Sequence, residues 1–222
     1  MEIVYKDKNI VVINKPSGIP SQSDKGGDAD ALSLTSAELA ELNEPSELWL
    51  VHRLDRVVGG LLLFARNKRA AATLSELFKE GRVLKEYLTV AEGYLDKGEM
   101  QDYLYKDTLF SKSFVVDRKR KGVKEAHLEY EALSHTLTDK GERTLVRVRL
   151  GTGRFHQIRT QFSSRGHAIL GDGKYGSREK CKNIALMSHR LAVSQGEIGF
   201  DLRLSPDYSK YPWSLFKGGE EK

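Results

Sequence analysis

The segment His52-Arg53-Leu54-Asp55-Arg56 stands between two apolar runs, Leu48-Trp49-Leu50-Val51 and Leu61-Leu62-Leu63-Phe64. Short apolar runs of this kind read as buried strands. Setting an aspartate and two arginines between them costs desolvation free energy unless the charges sit in a loop and compensate one another. Flanking guanidinium groups hold a carboxylate ionised, which makes Asp55 a candidate nucleophile or base. An ordinary salt-bridged turn has the same sequence, so the spacing alone leaves both readings open.

The rest of the chain supplies the frame. Ile3-Val4-Tyr5 and Ile10-Val11-Val12-Ile13 are β-rich runs joined by the polar turn Lys6-Asp7-Lys8-Asn9. Pro16, Gly18 and Pro20 force an irregular segment, and Ser21–Asp28 reads as a loop. Leu32, Leu34, Leu39 and Leu42 predict a helix before Pro45. Asn67 is placed to cap a helix carrying Ala71, Leu74, Leu77 and Phe78, with Gly81 ending it. Strand-like segments dominate from Tyr87 to Leu150, where Val146, Val148 and Leu150 alternate with Arg147 and Arg149 and predict a sheet with one basic face. Phe155, Ile158 and Phe162 have helical spacing, Gly166 falls where a C-terminal cap belongs, and Phe200–Leu204 reads as the last regular segment. Helices and strands do not alternate as βαβ units. The expected class is therefore α+β, a largely antiparallel mixed sheet with flanking helices.

At 222 residues the chain is long enough for one domain, or one domain with a small lobe. Its 39% hydrophobic and 30% charged content is ordinary for a globular protein, and no apolar run reaches the length of a bilayer span. The start, Met1-Glu2-Ile3-Val4-Tyr5-Lys6-Asp7, lacks the basic and apolar regions of a signal peptide. The single cysteine, Cys181, excludes an internal disulfide and a multi-cysteine zinc site. These features point to the cytoplasm. A net charge of +5 is compatible with a polyanion partner. The run Arg118-Lys119-Arg120-Lys121, with Lys124 after Gly122, reads equally as a solvated hairpin tip and as an RNA contact.

A second stretch narrows the meaning of Asp55. Gly151-Thr152-Gly153-Arg154-Phe155-His156-Gln157-Ile158-Arg159 opens the expected helix, and Gly166-His167-Ala168-Ile169-Leu170-Gly171-Asp172 follows it. With His52-Arg53-Leu54-Asp55, with Val11-Val12-Ile13-Asn14-Lys15-Pro16-Ser17-Gly18 and with Lys85-Glu86-Tyr87-Leu88, the chain resembles the RluA-type RNA pseudouridine synthases over nearly its whole length. One departure stands out. Relatives usually carry Arg-x-Thr-Ser-Gly after the aspartate, where this chain has Arg56-Val57-Val58-Gly59-Gly60, so the hydroxyl pair is lost and the glycine kept.

The resemblance implies an isomerase that needs no redox cofactor, metal or nucleotide. It implies one catalytic domain over residues 1–222, acting on ribosomal or transfer RNA as a monomer. Because the sequence begins directly at the first motif, no S4-type RNA-binding domain of the kind some relatives carry is expected before it. By the same correspondence Asp55 is the catalytic carboxylate, Arg159 the cation that keeps it ionised, and Tyr87 the ring that lies against uracil. Arg53 holds the space a flipped nucleotide vacates, and Lys15, His52, Arg56 and Leu186 line the substrate site. Leu186-Met187-Ser188-His189 departs from the Leu-His-Ala of many relatives. Two rival readings carry different chemistry. One is a catalytically silent RNA-binding module on the same fold. The other is a metal-dependent phosphoesterase built from His52, His156, His167, His189, Asp55 and Asp172. A dinucleotide loop at Gly151-Thr152-Gly153 is discounted because His156 stands where a third glycine belongs.

Overall fold

The computed structural model describes residues 1–23, 29–195 and 198–217, so part of the expected Ser21–Asp28 loop lies outside the described residues. Those residues divide into two compact units, one of Met1–Lys85 with Met187–Ser205, the other of Glu86–Leu186 with Pro206 onward.

The first unit begins where the alternating sequence requires. Strands β1 (Glu2–Lys6) and β2 (Ile10–Lys15) form an antiparallel hairpin. The Asp7 carboxylate closes its turn by accepting from the Asn9 and Ile10 amides. Helix α1 (Ala31–Glu41) is capped by Asp30, whose side chain accepts from Ser33 N at 2.9 Å. Strands β3 (Trp49–Leu50) and β4 (Gly59–Ala65) bracket the His52–Val58 loop. Helix α2 (Lys68–Lys79) starts at Asn67, which accepts from Ala70 N at 2.8 Å, as its sequence predicts.

Alternate residues of β2 and β4 pack under α2 in a core of Ile10, Val12, Leu61, Leu63, Ala70 and Leu74. The intervening Val11, Ile13, Leu62 and Phe64 are buried as well, so the two strands are covered on both faces.

Within the second unit the strands are β5 (Leu84–Glu92), β6 (Lys97–Asp107), β7 (Lys112–Val116), β8 (Val123–Thr138) and β9 (Gly141–Leu150). They lie in the order β5-β9-β8-β6-β7, all antiparallel to their neighbours. The expected basic face is electrically compensated. Arg147 bonds Glu131 at 2.8 Å, and Arg149 stands opposite Glu86 on one side and Glu129 on the other. Cross-strand partners, invisible to a linear reading, supply the opposite charges.

Helix α3 (Gln157–Ser163) also differs from its sequence reading. Gln157 through Phe162 are all buried, polar and apolar alike, so this is an enclosed helix of about two turns rather than an amphipathic surface helix. Its end is as expected: Gly166 adopts φ +81°, and the His167 amide returns to Phe162 O at 3.1 Å.

Strand β10 (Leu186–Gln195) leads back to the first unit, where it pairs in parallel with β4 and antiparallel with β11 (Ile198–Arg203). The first unit's sheet order is thus β1-β2-β4-β10, with β3 added on β4 and β11 on β10. The class is α+β with a largely antiparallel mixed sheet, as expected from sequence.

Candidate active site

Asp55 is carried on a turn closed by Val58 N donating to Asp55 O at 3.0 Å. The turn is held from outside by the irregular segment after β2. Ser17 Oγ donates to Val57 O at 2.6 Å, and Gly18 N donates to Arg56 O at 2.8 Å. Ser21 Oγ both donates to Leu54 O and accepts from Leu54 N, each at 2.9 Å. Arg56 returns the contact, its Nε donating to Gly18 O at 2.9 Å. The Pro and Gly residues that make 16–20 irregular are what leave its backbone groups available for this clasp.

Lys15 completes the clasp from beneath. Its side chain is fully enclosed, and Nζ donates to Pro16 O, Ile19 O and Arg56 O at 2.9, 2.6 and 3.3 Å. Sequence reading expected Lys15 at the substrate; the structure turns it inward, because carbonyls of the loop are the acceptors its desolvated ammonium requires. Burial lowers its pKa to about 8 even though the Asp55 charge acts in the opposite direction. The ammonium in turn favours the ionised form of Asp55, which is half-buried.

His52 is also turned to the fold. Its Nε2 accepts from Leu63 N at 3.0 Å and its ring stacks on Phe78 at 4.7 Å. Burial, with the nearby Lys85 charge, pushes its pKa down to about 3, so it is neutral and anchors the loop to β4. Arg53 and Arg56 are exposed on either side of Asp55.

The departure at Val58-Gly59-Gly60 has a clear physical reading. Gly60 has φ +104°, and a Cβ there would lie 2.2 Å from Ser188 O, so no other residue fits. Gly59 sits close above the clasp, with a Cβ position 3.2 Å from Lys15 O. Val58 is buried, and with the Ser17, Gly18, Ser21 and Lys15 contacts the turn is braced without the absent hydroxyls.

In the second unit, the Gly151–Arg159 motif is a turn wound around one side chain. Gln157 Oε1 accepts from Thr152 Oγ1 at 2.7 Å and from Arg154 N at 2.9 Å, while its Nε2 donates to His127 O at 3.0 Å. The amides of Gly151 and Thr152 both donate to His127 O, which leaves them no role in a phosphate loop. His156 takes a left-handed conformation, φ +53°, to start α3.

That helix carries Arg159 into a buried, two-pronged ion pair with Asp172: Nε to Oδ2 at 2.6 Å and Nη2 to Oδ1 at 2.8 Å. The guanidinium also lies 4.9 Å from the ring centroid of Tyr175. The Tyr175 hydroxyl accepts from Ser113 N at 2.8 Å and is bonded to His156 Nδ1 at 2.9 Å. Burial is the main reason its pKa is raised.

In the sequence Asp172 closes the Gly166–Asp172 motif and is a possible metal ligand, but nothing there marks it as the partner of Arg159, and Tyr175 carries no signal. Thirteen positions separate Arg159 from Asp172 (172 − 159), so no helical spacing links them. The only local signal is the turn chemistry of Gly171-Asp172-Gly173-Lys174-Tyr175-Gly176.

Tyr87 is buried in β5 opposite Val148, and Leu186 follows Ala185, whose carbonyl accepts from Thr89 Oγ1 and Val90 N. The remaining histidines of the hydrolase alternative are engaged in hydrogen bonds, His167 Nδ1 to Glu92 O and His189 Nδ1 to Leu204 O. Among the described residues no three of His, Cys, Asp and Glu come together to hold a metal ion.

Comparison with known proteins identifies the lineage of this arrangement. A family model described as RNA pseudouridylate synthase matches residues 9–164, from β2 through α3. The chain belongs to that family. The motifs place it in the RluA-type branch, as relatives also attest. It is 33% identical to a ribosomal large subunit pseudouridine synthase C of Rickettsia bellii, covering 94% of this chain and 69% of the relative. It is 34% identical to a tRNA pseudouridine synthase C of Haemophilus ducreyi, covering 79% and 74%. The chain spans 60–74% of the length of the first curated relatives it matches. The solved structure of human RNA pseudouridylate synthase domain containing 4 shares the fold, with a TM-score of 0.79 over 98% of this chain and 92% of that one, at 24% identity. No helix among the described residues is long and apolar enough to cross a membrane.

Proposed function

We propose that this chain isomerises uridines in ribosomal or transfer RNA to pseudouridine, with Asp55 as the catalytic carboxylate. The reaction breaks the N1–C1′ bond, turns the uracil and forms a C5–C1′ bond; C5 releases its hydrogen to water as a proton and N1 takes up a proton in its place. It consumes no oxidant or reductant. The observation that carries the reading is the Asp55 turn: a half-buried carboxylate, near a buried ammonium, on a loop locked by the first motif. Such preorganisation is what an ionised nucleophile or base needs before a flipped base reaches it.

By motif correspondence Arg159 keeps that carboxylate ionised, Tyr87 lies against the uracil ring, and Arg53 occupies the space the nucleotide leaves. Arg56 and Leu186 complete the substrate contacts. The enzyme acts in the cytoplasm as a monomer.

The test is tritium release from C5-labelled uridine in deproteinised total RNA, a short hairpin and free nucleoside. Wild-type protein releases tritium from RNA and not from uridine. Asp55→Asn abolishes release while retaining RNA binding, because binding rests on distributed phosphate contacts. Turnover by purified Asp55→Asn protein would remove the assignment.

A further inference from the structure

The far edge of the second unit carries a surface that the reaction chemistry does not use. Strand β6 pairs with β8 on one side and β7 on the other. The chain leaves β7 at Val116, opposite Tyr103, and enters β8 at Val123, opposite Tyr105. Residues 117–122 must therefore pass across β6, and these are the residues that include the basic run. The run is therefore a strap across a sheet rather than the expected hairpin tip. Arg120 lies over the ring of Tyr105 at 5.9 Å, and its carbonyl accepts from Val123 N at 3.0 Å. Gly122, at φ +84°, passes close to the same ring.

Beside the strap the aromatic side chains are unusually open. Tyr105 and Phe114 face each other across β6 and β7 and are 37% and 41% exposed. Lys112 stands over Phe114 at 5.5 Å. At the hairpin tip Leu109 and Phe110 are 84% and 65% exposed. That tip is built, since the Asp107 carboxylate accepts from both of their amides, at 2.9 and 3.1 Å.

Rings held open beside fixed cations are the two components of a single-strand binding surface, where bases stack on aromatic faces and cations take the phosphates. Of the carboxylates near the strap, Asp107 is committed to the tip amides, while Glu125 pairs with Lys119 of the strap itself at 3.0 Å and leaves Arg118, Arg120 and Lys121 as its other cations. Asp117 alone of this strap is acidic.

We propose that this edge binds unpaired nucleotides of the RNA substrate, with Tyr105, Phe110 and Phe114 taking base faces and Arg118, Arg120 and Lys121 the phosphates. The assignment deepens the RNA-modifying reading and rests on it.

The test uses the full chain and a fluorescein-labelled oligouridine of about 12 nucleotides, a length within the usual single-strand site size. Phe110→Ala combined with Phe114→Ala raises Kd by about 10- to 100-fold, as expected for the loss of one or two stacked bases. Phe110→Trp retains binding. Replacing Arg118, Arg120 and Lys121 by Ala lowers the log–log salt slope by about 2, at roughly 0.7 per phosphate on a single strand. Leu137→Ala, at a more exposed apolar side chain on the β8–β9 hairpin, is the control and binds as wild type. Ultraviolet cross-links map to residues 103–121. Unchanged Kd in the double aromatic variant overturns the proposal, and so do cross-links confined to other segments or binding to anionic phospholipid vesicles in place of oligouridine. Tritium release, measured in parallel, separates the two readings. Wild-type protein that binds oligouridine at this edge yet isomerises no RNA leaves the surface and removes the enzyme; active protein whose aromatic variants bind unchanged does the reverse.

Discussion

Asp172→Ala is the most discriminating substitution in the second unit. Arg159 and Asp172 are 4% and 1% exposed, and two charge-assisted bonds of 2.6 and 2.8 Å join them. Removing one partner of a buried pair costs about 3–5 kcal/mol, because the remaining charge keeps its desolvation penalty. For a chain of this size each kcal/mol lowers Tm by about 2–4 °C, so the expected drop is roughly 6–20 °C. Asp172→Asn keeps the shape and one acceptor and falls between the variant and wild type.

Trp213 lies in the second unit and Trp49 in the first, so urea unfolding of a Trp49→Phe background reports the affected unit through Trp213. The double variant Arg159→Met with Asp172→Leu recovers most of the lost stability, since apolar residues of similar volume replace a buried pair at little cost. It recovers no tritium release if Arg159 has the assigned role. Arg159→Lys restores activity only in part, lacking the planar fork. A wild-type melting curve for Asp172→Ala would refute the reasoning, and active double variant would show that Arg159 serves only the fold.

Two further outcomes test the first unit. Gly60→Ala combines a positive φ, costing about 1–3 kcal/mol, with an overlap that separates β4 from β10, and it should abolish cooperative unfolding or lower its midpoint sharply. The His52 pKa is depressed in the folded state to about 3, from about 6.5, so unfolding takes up a proton between those values. Its contribution to stability is therefore complete above about pH 6.5 and declines as pH falls towards 3, by up to about 1.4 kcal/mol per pH unit. His52→Gln should flatten that part of the urea-midpoint profile; an unchanged slope would mean that His52 does not carry it.

Local chemistry made much of the architecture readable. The Asp7 turn, the Asn67 cap and the Gly166 terminus act within a few residues of themselves, and each stands where its sequence places it. What sequence reading lost was long-range. Arg147 and Arg149 looked like a basic face because their glutamate partners sit on other strands. Helix α3 looked amphipathic, but Thr160 and Gln161 are buried through bonds to His156 O, and to Met100 O and Asp102, the last two in β6. β10 went unread as a full strand, its apolar pattern broken by Ser188, His189 and Arg190. Asp55, Arg159 and Tyr87 were marked by motif, while the inward course of Lys15 and the Asp172 partner of Arg159 emerge only once the chain is folded.

The clasp that Lys15, Ser17, Gly18 and Ser21 form around residues 54–57 changes what counts as the Asp55 loop. Most of its grip falls on carbonyl oxygens, which every residue type possesses. Side chains at positions 58 and 59 are thereby released from guarding the geometry, and a valine and a glycine serve there. The transplantable module is accordingly bipartite. An engineer who grafts His52–Gly60 onto another sheet without the proline–glycine strand exit would carry over the aspartate and leave its mounting behind.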